Sequence, residues 1–95
     1  MQEFSGQQDT GIPEMSAPSV RVLLADPSRV TREVVADALK TSKVDLQFVE
    51  AETGHEALNA LRTQNVDFAF VDVQMSGISG IDAVGQARRE GFRPF

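Results

Sequence analysis

An α/β fold on a parallel sheet is what this 95-residue chain predicts, and two observations carry that expectation. Apolar runs of strand length stand at Arg21–Ala25, Leu46–Val49 and Val66–Val71, and each is followed by a stretch with helical spacing. Strand, helix, strand, helix, strand, helix in that order requires crossover connections, which join parallel strands and are right-handed. The second observation is where the acids fall. The first and third runs end on carboxylates, Asp26 and Asp72. In an open parallel sheet the carboxyl ends of neighbouring strands border one crevice, the usual ligand position. Two carboxylates there suggest a hard divalent cation.

The elements follow in order. Residues 1–20 are rich in Gln, Ser, Gly and Pro, hold no Lys or Arg and have no apolar period, so they are expected to be a disordered tail, leaving 21–95 as the domain. After Arg21–Ala25, the triplet Asp26-Pro27-Ser28 offers a helix N-cap, a first-turn proline and a first-turn serine. Val30, Val34, Val35 and Ala38 then share one face at helical spacing, which ends near Lys40. Gln47 and the flanking Asp45 and Glu50 make Leu46–Val49 polar enough for an edge strand. Thr53-Gly-His-Glu56 matches a capping box, with Ala57, Leu58 and Leu61 as the stripe behind it. Phe68 and Phe70 are expected in the core on one face of the third strand. A Gly-rich turn, Gly77-Ile-Ser-Gly80, leads into a helix that Ser79 and Asp82 can cap, with Ile81, Val84 and Ala87 inward and Arg88, Arg89 and Glu90 in water. No internal repeat is visible.

Composition narrows the partners. Net charge is -5, and Glu3, Asp9 and Glu14 in the tail supply three of those units. This balance gives no electrostatic reason to expect nucleic acid or an anionic membrane. The chain has no cysteine, which excludes disulfides and thiol chemistry. It shows neither a secretory signal pattern nor an apolar run of spanning length, so the cytoplasm is the default expectation. About 75 residues remain to fold, a size that is marginal alone and gains from oligomerisation.

Four stretches together resemble the receiver domain of two-component response regulators: Arg21-Val-Leu-Leu-Ala-Asp26, Ala51-Glu-Thr-Gly-His-Glu-Ala-Leu58, Val66-Asp-Phe-Ala-Phe-Val-Asp72 and Gln74-Met-Ser-Gly-Ile-Ser-Gly80. Their order and spacing are similar to the family across nearly all of Arg21 to Arg89. The resemblance implies a flavodoxin-like, CheY-like fold, of which the chain would hold the N-terminal three βα units with sheet order 2-1-3. It also implies that Asp72 accepts a phosphoryl group from a histidine kinase or phosphotransfer protein. Magnesium would be held by Asp26, Asp72 and the backbone carbonyl of Gln74. The module would modify itself and would not be an enzyme in any other sense. No nucleophile with an adjacent base, P-loop or His/Cys metal cluster suggests other catalysis.

Three departures from the family pattern qualify what is carried over. Pro27 stands where the family usually has a second acid, so magnesium is expected to bind weakly. Ser76 replaces a proline in the turn after the third strand and loosens it. The chain stops about where a fourth strand would begin, so the family's later Ser or Thr, aromatic residue and Lys have no counterpart. The third strand would then be an apolar edge, and a homodimer through it is expected.

Plainer roles stand beside these. Asp26 could serve only as a helix cap, and Asp72 could simply close a strand. His55, the single histidine, is expected to be solvated, and Arg88-Arg89 to be a solvated helix end. A degenerate, non-phosphorylated receiver-like module that binds a partner or dimerises is therefore the alternative to a phospho-accepting one.

Overall fold

Residues 19–93 are described by a computed structural model. Within them β1 (Ser19–Ala25), α1 (Arg29–Leu39), β2 (Asp45–Ala51), α2 (Gly54–Thr63), β3 (Phe68–Val71) and α3 (Gly80–Arg89) follow one another. The strands form one parallel sheet in the order β2-β1-β3. This is the flavodoxin-like α/β receiver topology expected, with β2 at an edge. β1 starts at Ser19, two residues before the expected domain edge. The expected disorder of the tail falls almost wholly outside the described residues.

β1 is central, and Val22, Leu23, Leu24 and Ala25 are all buried. Alternation along a strand sends Leu23 and Ala25 to one face and Val22 and Leu24 to the other. The first pair joins Ala51, Ala57, Leu58, Ala60, Leu61, Ala83 and Ala87 in the main core, so α2 and α3 cover that face. Right-handed crossovers leave α1 on the opposite face.

The caps follow the sequence with one exception. Thr53 accepts from the Glu56 N–H at 3.1 Å, and Ser79 accepts from the Asp82 N–H at 3.1 Å. The Glu56 carboxylate turns back one residue further than a standard box requires, accepting from the Glu52 N–H at 2.8 Å. The exception is α1, whose N-cap is Ser28, accepting from the Thr31 N–H at 3.2 Å, and not Asp26. Asp26 instead closes a side-chain turn, accepting from the Ser28 N–H at 2.8 Å.

Three expectations about burial are corrected. In α1 most of the expected apolar face is outside: Val30 is 68% and Val34 62% exposed and Ala38 is out as well, while Val35, the one member that turns in, is half-buried with Leu39 alongside the buried Arg32. Arg32, Val35 and Leu39 lie three, then four apart, a second helical stripe in phase with the sheet. In α3, Ile81 is 68% exposed, whereas Ala83 and Ala87 are fully buried. Small residues fill the narrow gap between α2 and α3, and the larger β-branched residue stays out. Phe68 and Phe70 are about half exposed, because β3 lies at the sheet edge, where few side chains reach over it.

Candidate functional site

Asp26 and Asp72 meet. Both line one cavity of about 340 Å³ at the carboxyl ends of β1 and β3, with Thr31, Arg32, Leu24, Val35 and Phe70 among its other walls. The backbone fixes the two acids relative to each other: the Asp72 N–H donates to Ala25 O at 2.8 Å, one residue from Asp26. The Asp26 N–H in turn donates to Ala51 O at 3.0 Å, which ties the end of β1 to β2. Both residues are half-buried.

Asp72 is locked from its other side by α3. The Gly80 N–H donates to Val73 O at 3.1 Å, and a Cβ at Gly80 would sit 2.0 Å from the Asp72 carbonyl oxygen. Only glycine permits that approach. The Gln74 N–H donates to Asp72 Oδ1 at 3.1 Å, so one carboxylate oxygen is oriented by the following turn. Gln74 itself is exposed and lies outside the cavity lining.

Arg32 is the residue that sequence reasoning missed. It is the buried charged side chain of the described core, 7% exposed, and it lines the same cavity. Its Nε donates to Glu50 Oε1 at 2.7 Å, its second nitrogen donates to the Asp26 carbonyl, and Glu52 stands 3.9 Å away. A guanidinium buried this way is stable only because acids and a carbonyl surround it. It binds the end of β1 to the end of β2 and holds the Asp26 backbone still. The signal was available: Arg32 shares a helical stripe with Val35 and Leu39, and acids flank the end of β2.

Among the described residues no group of three or more His, Cys, Asp or Glu could hold a metal ion. The residues present still fit a hard cation in kind. Asp26 and Asp72 each place one oxygen on a neighbouring N–H. The other oxygen of each is available as a hard ligand, and the backbone at Gln74 is adjacent. Two charged donors would hold such an ion only loosely.

The chain matches the response regulator receiver domain family over residues 22–94. It belongs to that family. Among solved structures, it is similar to the response regulator TrrA of Thermotoga maritima in complex with Mg2+-BeF: 30% identity, 76% of this chain and 61% of that one, TM-score 0.67. The signal receiver domain of NarL from Mycobacterium tuberculosis matches at 31% identity, over 78% of this chain and 60% of that one, with a TM-score of 0.71. TrrA bound to the histidine kinase ThkA matches at 28% identity, over 79% and 63% of the two chains, with a TM-score of 0.65. The receiver domain thus spans about three fifths of the length of these neighbours. No curated protein matches it. Among its described residues no helix is long and apolar enough to cross a membrane.

Proposed function

We propose that this receiver domain accepts a phosphoryl group on Asp72 from a histidine kinase or phosphotransfer protein, with Mg2+ held weakly by Asp26, Asp72 and the Gln74 carbonyl. The observation that carries the reading is the shared cavity of Asp26 and Asp72, with the Asp72 backbone fixed by Ala25 on one side and Gly80 on the other. The TrrA complexes with Mg2+-BeF and with the kinase ThkA support it by similarity.

The chemistry uses few groups. An Asp72 carboxylate oxygen forms a bond to phosphorus as the bond from phosphorus to the donor breaks, and the donor leaves with its electron pair. The Gln74 N–H on Oδ1 orients the carboxylate so that the other oxygen attacks. When bound, the cation neutralises charge on the transferring group. The change is self-modification, so the domain is a switch and not an enzyme acting on a separate substrate. A cytoplasmic site of action goes with this reading.

A second reading has its own support. Pro27 removes an acid where magnesium needs one, and apolar side chains flank the β3 edge: Phe70 at 47% exposure, with Val73 and Ile81 also out. Those features favour a degenerate module that pairs with a second copy along β3, with or without phosphoryl transfer.

Incubation with Mg2+ and acetyl phosphate separates the readings. The expected result is a mass gain of one phosphoryl group that vanishes in Asp72→Ala. An unmodified protein favours the pairing module alone.

A further inference from the structure

The turn after Asp72 has little holding it from within. Among the described residues the Gln74 N–H reaches Asp72 Oδ1 and the Gly80 N–H reaches Val73 O, but nothing inside the turn binds residues 75–78. Met75 and Ile78 pack their side chains against the core, and the start of α2 holds the backbone of that middle section. The Gly54 N–H donates to Ser76 O at 3.4 Å, and a Cβ on Gly54 would lie 2.0 Å from Ile78 O, so helix and turn touch backbone to backbone. Beside it the His55 imidazole covers Gly77. A Cβ built on Gly77 would lie 2.8 Å from His55 Cδ2 and 3.1 Å from Nε2, and Gly77 has φ +80. Position 77 therefore disfavours a side chain by its backbone conformation, and a Cβ there would also have to push the edge of the His55 ring aside.

We infer that His55 is a positioning residue: its ring, with the Gly54 backbone, clamps the 74–79 turn and so sets the placement of Gln74 beside Asp72. The functional part of this inference rests on Asp72 being the phosphoacceptor. His55 acts by shape, with the Cδ2–Nε2 edge of its ring set against Gly77, and an exposed histidine on one helix thereby governs a turn in another part of the chain. A misplaced turn would misplace the Gln74 N–H that meets Asp72 Oδ1, and small displacements of positioning groups are costly to reaction rate.

The test compares wild type, His55→Ala and His55→Phe by amide hydrogen exchange and by the initial rate of acetyl phosphate modification. In His55→Ala the amides of Gly54 and Gly80, which donate to Ser76 O and Val73 O of the turn, should exchange about tenfold faster while those of Leu23, Leu24 and Ala25 keep their rates, since only a local opening is eased. His55→Phe keeps a ring in place and should restore protection. The modification rate should follow the same order, through its maximum and not through the acetyl phosphate concentration needed. Gly77→Ala adds a second check: it should destabilise less in the His55→Ala background than in wild type, because the ring is no longer there to clash. Gly54 and Gly80 amides that exchange at the wild-type rate in His55→Ala, a loosening of these amides together with those of the core, or additive effects of the two substitutions would each overturn the clamp. Should wild type take no phosphoryl group, the acceptor reading fails while the amide rates still decide the clamp.

Discussion

The two faces of the sheet differ in how far they are closed. On one, α2 and α3 come together over Leu23, Ala25 and Ala51, and the residues between them are buried alanines and leucines. On the other, among the described residues, α1 lies alone, its Val30 and Val34 in solvent and its buried stripe occupied by an arginine. Both faces are amphipathic in sequence. The difference teaches that an apolar period marks a side chain suited to burial, whereas the strand order and the elements present decide which periods are covered. Two helices side by side can seal a face; one helix on a three-stranded sheet cannot.

The comparison breaks most directly by mutation. Leu23→Ala removes a fully buried side chain from the sealed face and should cost about 3 kcal/mol in urea unfolding, a large part of what a small domain has. Val34→Ala on the open face should change stability by less than about 0.5 kcal/mol. If Val34→Ala costs as much as Leu23→Ala, the open face is covered in solution.

A covering partner is the next question. Pairing along β3 should give a scattering mass of two chains that falls to one on dilution. Val73→Lys or Ile81→Lys, which place charge on the exposed flanks of that edge, should shift the protein to monomer at every concentration. A folded wild-type monomer throughout the dilution range would remove the pairing and leave the open face as a plain solvated surface.

The smallest effect lies where the sealed face is tied at its rim. Arg62 on α2 donates to both Glu90 oxygens beyond α3, at 2.7 and 2.6 Å. Hydrogen bonds from Arg62 and then Gln86 hold the Glu90 carboxyl down to about 2 from an ordinary 4.5. A carboxyl lowered in the folded state binds its proton more readily when unfolded. Its contribution is therefore complete above the ordinary carboxylate range and is lost as pH falls from there toward about 2. Glu90→Gln should flatten the stability profile in that window and leave its slope near neutral pH unchanged. An identical acid limb in wild type and Glu90→Gln would mean the tie between α2 and α3 carries no stability.

Much of this was legible in the sequence because local chemistry wrote it. The β-branched and leucine run of β1, the Thr53 and Ser79 caps, the glycine at 80 and the two strand-ending acids each follow from a short pattern. What was not legible depended on distant partners. Asp26, Pro27 and Ser28 permit two caps, and the choice of Ser28 left the Asp26 carboxylate facing the crevice. Val30 and Val34 read as apolar a face as Val35 and Leu39, yet the stripe through Arg32 faces the sheet because Glu50 and Glu52 stand at the end of β2 to receive it. Ile81 reads as core and Ala83 as filler, but the close approach of α2 and α3 reverses them. The clamp of His55 on Gly77 joins residues far apart in the chain and carries no local signature at all.

The central claim is that the crevice serves one residue, Asp72, as phosphoacceptor with Asp26 in support. An acyl phosphate on aspartate is reduced by borohydride to homoserine, which marks the residue permanently. The measurement is borohydride reduction after treatment with Mg2+ and acetyl phosphate, followed by peptide sequencing of wild type and Asp26→Asn. The account predicts homoserine at position 72 in wild type, and the same mark at much lower yield in Asp26→Asn. Homoserine at position 26 or at another acid, or an equal yield at position 72 without the Asp26 carboxylate, would contradict it.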